Sequence, residues 1–307
     1  MSGIFIQVIN WRKGYANSHY LCQMDRYYYP VDEQKIVVIG HTGLIYLYTL
    51  QGLDGAPQRR ITYHLPKSCY DSSLLGILIH VHPSFHGKVA RSDLMPSYVP
   101  SLESQIMVLE FLSFAGDAIL VIDMAIFSDM ALHSDTPINV PWSNWGPQHV
   151  YYFPHDRNCH ISVFGSKMAY ALPQDRVPDP GQRLEVLSTE SYFYVHIWDF
   201  NKRVIARSQS INDPDSPDFF ICKPARMTDS GEIFSNHAYT ATVCRTPFPM
   251  PRDSRMFLEL DRLTLTWARE GEISIKVISP VQAEVGRSSG PHRKGKERWT
   301  RRRRYLV

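Results

Sequence analysis

The sequence predicts an all-β protein, and three observations carry that expectation. Twenty-one prolines and 17 glycines in 307 residues demand frequent chain reversals. Aromatic residues make up 12%, with 17 tyrosines, a composition that suits pleated, half-buried surfaces better than helix bundles. The apolar residues come in short runs closed by turn residues, with hardly a long helical period anywhere.

Taken in order, residues 4–11 form a β-branched run that ends in the turn Arg12-Lys13-Gly14, and a second strand follows near 20–23. Residues 35–39 and 44–50 flank a four-residue hairpin loop with Gly40 and Gly43 at its ends. The stretch 60–65 alternates and stops at Pro66, and 74–82 stops at Pro83. Residues 104–114 show apolar spacing of both kinds and are taken as strand. A buried-type strand follows at 117–123, then strand or short helix over 124–132.

At 140–148 the pattern breaks. Trp142 and Trp145 stand between Pro141 and the Gly146-Pro147 pair. Proline fixes φ and removes a donor, so a rigid turn is expected here instead of a long helix or a central strand. Either the two indoles plug the space between sheets, each N–H finding a partner, or they anchor a partner protein from the surface. The plug is the leading expectation. Beyond it, 150–153, 160–164 and 168–172 read as short strands, 173–182 as a polar loop, and 185–187 and 192–200 as strands with 204–209 as their partner. An acidic loop at 212–218 precedes β signals at 219–222, 238–245, 257–267 and 273–278.

The net charge of +3 hides a division. Residues 286–307 carry nine Lys/Arg against one Glu, leaving 24 basic and 29 acidic residues elsewhere. We therefore expect a mildly acidic β domain over 1–282 and a basic, disordered tail over 283–307, which includes Arg293, Lys294, Lys296, Arg298, Arg301, Arg302, Arg303 and Arg304. Such a tail would attract nucleic acid with salt-sensitive affinity, or act as a nuclear import signal. Five scattered cysteines without a C-x-x-C pair suit a reducing compartment. The start lacks a signal-peptide pattern, and the apolar run 119–122 is cut short by flanking aspartates, so a cytoplasmic or nuclear protein with no membrane partner is expected.

Four strand-like segments, starting at Phe5, Leu44, Tyr194 and Ile273, line up just before polar turns, at separations of 39, 150 and 79 residues. A propeller blade is roughly 40–45 residues long, so these separations correspond to about one, between three and four, and about two blades. A pair of sandwich sheets would produce similar strands but has no reason to keep that spacing.

Residues 6–14 and the Trp198-Asp199 dipeptide resemble the strand ends of WD-repeat blades. The segment PWSNWGPQ at 141–148, followed by Phe153 and then by His160 and Gly165-Ser166-Lys167, resembles a large fungal family of F-box proteins, in which an F-box precedes a degenerate propeller-like region. Residues 256–278 resemble that family's C-terminal blade. The likeness spans 4–279, with 141–167 its specific part. It implies an incomplete or degenerate WD-repeat-like β-propeller of about four to six blades, resembling the substrate-recruiting half of a ubiquitin-ligase receptor. Two departures stand out: the chain opens in mid-blade without the F-box, and Tyr151 occupies a position where related sequences often carry Arg. The ligase adaptor is then a partner only through an upstream F-box, and the expected partner is a protein target met through Trp142, Trp145, Tyr151, Trp11 and Trp198.

No catalytic signature competes with that reading, and neither enzyme activity nor a cofactor is expected. His80 and His82 share a strand face and His86 lies beyond Pro83, but no Cys or carboxylate is expected nearby to complete a zinc site. Asp213, Asp215 and Asp218 alternate as in a calcium loop but lack its central Gly and distal Glu. Gly165-Ser166 is no nucleophile elbow, and Gly40 and Gly43 are hairpin punctuation, not a phosphate loop.

Overall fold

A computed structural model describes residues 3–10, 15–23, 25–32, 34–40, 43–50, 56–66, 69, 74–81, 104–113, 117–128, 136–155, 159–173, 190–210, 220–222, 238–243, 247–251, 254–260, 262–269, 272–278 and 305–306. The architecture is mostly β, as the composition and turn spacing require. Strands β1 (Gly3–Asn10) and β2 (Tyr15–Gln23) pair antiparallel as sheet A. Sheet B runs outward in chain order through β3 (Asp25–Pro30), β4 (Lys35–Gly40), β5 (Leu44–Thr49) and β6 (Gln58–His64). Gly43, at φ 72°, supplies the left-handed residue that lets β4 reverse into β5.

Sheet C starts with β7 (Leu74–Val81), β8 (Ile106–Ser113) and β9 (Asp117–Asp123). The chain then makes a short 3-10 turn at Met124–Phe127 and returns to sheet B as β10 (Ile138–Val140), parallel to β6. Helix α1 (Trp142–His149) leads back to sheet C, where β11 (Val150–His155) pairs with β9. Sheet D contains β12 (His160–Phe164), β13 (Lys167–Pro173) and β14 (Glu190–Asp199). After helix α2 (Lys202–Ser210) it adds β15 (Phe220–Cys222), β16 (Tyr239–Val243) and β17 (Phe248–Pro251), the last two both on β14. Sheet E comprises β18 (Arg255–Leu258), β19 (Leu263–Arg269), β20 (Glu272–Ile278) and β21 (Tyr305–Leu306).

Sheets B to E stack in chain order, and the two-residue alternation of each strand supplies both contacts. On β8, Met107, Leu109 and Phe111 face sheet B while Ile106 and Val108 face sheet D. On β13, Met168 and Tyr170 face sheet C while Ala169 and Ala171 face sheet E. Strands covered on both sides read as unbroken apolar runs, which explains Ile119–Ile122 on β9. The first strands of sheets C, D and E converge, because β12 lies against β7 and β8 on one side and β18 on the other.

One expectation about the strands is corrected. Residues 204–209 form helix, not strand. The Asn201 side chain accepts from the N–H groups of Arg203 and Val204, capping the first turn, and Ile205 is buried on one face. On the edge of sheet E, β21 pairs with β20, Tyr305 lying opposite Ile273. The expected strand at 185–187 and the loops at 173–182 and 212–218 lie wholly or almost wholly outside the described residues.

Candidate functional site

The tryptophan segment is a two-turn helix, where a turn was expected. Pro141 enters it in extended backbone, a place where its fixed φ and missing N–H cost nothing. Pro147 offers no N–H to the carbonyl four residues back, and the helix stops at His149. Trp142 and Trp145 are 8% and 3% exposed and meet edge to face at 5.1 Å. Trp145 also packs on Tyr63 at 5.2 Å, and its Nε1–H donates to the His64 carbonyl at 3.1 Å. The plug between sheets B and C is what forms. Both rings are buried, which fits the packing alternative, and the Trp145 N–H is already bonded within the protein.

A side chain at position 146 would disturb this plug. Gly146 lies directly under Trp142, and a Cβ there would overlap the indole's six-membered ring. Alanine normally stabilises a helix interior by about 1 kcal/mol over glycine. At Gly146 we expect the opposite sign, a loss of about 1–3 kcal/mol from overpacking, read by urea denaturation of Gly146→Ala. A more stable variant would refute the close contact.

Between sheets C and D lies a polar cluster that sequence reasoning missed. Glu110 projects from β8 into the apolar layer and is bonded at both oxygens. His80 Nε2 lies 2.8 Å from Oε2, and His155 Nε2 lies 3.0 Å from Oε1. An ionised carboxylate only accepts, so each of these ring nitrogens carries the proton. His155 Nδ1 lies 3.2 Å from the Tyr170 hydroxyl, and the His155 side chain is fully buried. Burial by itself would raise the Glu110 carboxyl, but hydrogen bonds and charge from His155 and His80 outweigh it and bring its pKa to about 2. Trp198 stacks on Tyr170 at 5.2 Å and 16°, half-buried in the same layer. The expectation that no carboxylate lies near His80 is therefore corrected: two imidazoles from β7 and β11 converge on Glu110. The only hint in the sequence was a Glu inside an apolar strand.

At the far end of the same two strand layers, Asp123, Tyr151, Ser166, Asn201 and Lys202 surround a cavity of about 20 Å³, room for about one water. Lys202 Nζ donates to Asp123 at 2.8 Å, and Ser166 Oγ donates to Asp199 at 2.7 Å. Tyr151 is 3% exposed, packed on Phe200 at 4.8 Å. Its phenol pKa is pushed upward, mainly by burial and then by Asp123, so it holds its proton and cannot serve as a base. Tyr151, one of the positions expected to meet a protein target, is thus buried in this structure.

The other proposed positions are less informative. Trp11, His82, His86, Asp213, Asp215, Asp218 and the basic residues Arg293 to Arg304 lie outside the described residues. Among the described residues, no group of three His, Cys, Asp or Glu side chains could hold a metal ion, and no helix is long and apolar enough to cross a membrane. No family model and no curated protein matches the sequence significantly.

Proposed function

We propose that the chain is a non-enzymatic protein-interaction platform. In this reading sheets A to E are blades of an incomplete, WD-repeat-like propeller, resembling the substrate-recruiting half of an F-box protein and working in the cytoplasm or nucleus. A ubiquitin-ligase adaptor would join only through an upstream F-box. The observation that carries the reading is the meeting of β7, β12 and β18, each the first strand of its sheet. Blades around a common axis begin on their innermost strands, and the segments between them then form a docking rim. The inward-facing polar groups of Glu110 and Tyr151 are bonded within the protein, which favours binding over catalysis.

Tyr28 on β3 and Leu75 and Leu78 on β7 are held out to solvent on strands that begin sheets B and C. Photo-crosslinking in cells, comparing the wild type with the triple variant Tyr28→Ala, Leu75→Ser, Leu78→Ser, tests the platform. Loss of a specific partner at unchanged melting temperature supports it. An identical set of crosslinked proteins defeats it.

A further inference from the structure

The row of sheets has one open end among the described residues. On the outward face of sheet E, Phe257, Ile273, Ile275 and Val277 are 37–46% exposed. Thr264 pairs with Phe257 and Val277, an uncharged row across three strands, and Thr266 pairs with Ile275 on one side and Arg255 on the other. At the other end of the row, Ile36, Val38 and Tyr48 on sheet B are buried. Among the described residues, a second copy extends the row by setting face E against face E.

The charges along β18 suit that arrangement. Arg255, Phe257 and Glu259 alternate onto the open face, and the Glu259 N–H donates to the Arg262 carbonyl, continuing the ladder past Leu258. The row thus reads cation, aromatic, carboxylate, with its charged ends about 13 Å apart. A two-fold axis across the strands reverses the second copy, bringing each Arg255 over the other copy's Glu259. Glu259 already pairs with Arg262 at 3.2 Å, but both are about half exposed and such a pair exchanges at little cost.

We propose that the outward face of β18, β19 and β20 is an isologous interface occupied by a second copy of this chain. Strands about 4.8 Å apart, with four residues on β18 and seven each on β19 and β20 at about 3.4 Å, give a footprint of roughly 300 Å² per copy, small enough that the dimer exchanges with monomer.

Sedimentation velocity on the full chain over a dilution series tests it. The expected result is a monomer–dimer equilibrium. Ile275→Lys, at an exposed position, weakens association by about tenfold or more while leaving circular dichroism and melting unchanged. Arg255→Glu also weakens it, and adding Glu259→Arg restores it. A chain that stays monomeric throughout overturns the proposal, as do oligomers beyond the dimer or unaltered association of Ile275→Lys. A double charge variant no better than Arg255→Glu alone removes the two-fold register.

Discussion

Replacing Trp145 with alanine will cost about 3–5 kcal/mol of stability, the range for deleting a large buried aromatic. The ring touches Trp142 and Tyr63, and Tyr63 packs on Phe127 and donates to the Ile126 carbonyl at 3.1 Å. One side chain therefore ties helix α1, β6 of sheet B and the 3-10 turn that leaves sheet C. Chemical denaturation at neutral pH measures the loss. Trp145→Phe keeps part of the packing but strands the His64 carbonyl, so it should fall between wild type and alanine. A change below about 1 kcal/mol for the alanine variant, the size of an ordinary surface substitution, would mean that the plug does not join the sheets.

The second large effect concerns pH. Glu110 titrates at about 2 in the folded protein against an ordinary 4.5. A folded pKa held below the unfolded value means that the folded state favours the carboxylate. The stabilisation is complete above pH 4.5 and disappears as pH falls from there to about 2. The shift corresponds to about 3 kcal/mol at neutral pH. Glu110→Gln removes the charge and turns an NH2 group toward one imidazole N–H, setting donor against donor. We expect this variant to be less stable than wild type by about 2–3 kcal/mol at pH 7, with the gap closing between pH 4.5 and 2. Urea titrations of both proteins across that range decide it, and a gap that stays constant with pH would exclude the ionised cluster.

Much of the strand pattern was legible because it depends on neighbours in sequence. Residues 117–123 were read with the bounds that β9 shows, and 160–164 with those of β12. Over 204–209 the local pattern points to strand because Val204 and Ile205 favour it, whereas the Asn201 cap that starts a helix there lies outside the apolar run. The β signal at 257–267 is divided by the Glu259–Arg262 turn into β18 and β19.

Local alternation and turn chemistry were thus enough to establish an all-β chain and to place most of its strands, since a side chain's face follows from its position in the pleat. Which face meets which neighbour depends on contacts between residues far apart in sequence. Glu110 and His155 are 45 residues apart, and Trp145 and His64 are 81 apart. Only the stacking of whole sheets brings such pairs together, and that stacking turned the two tryptophans from possible anchors into core and gave a lone strand glutamate two histidine partners.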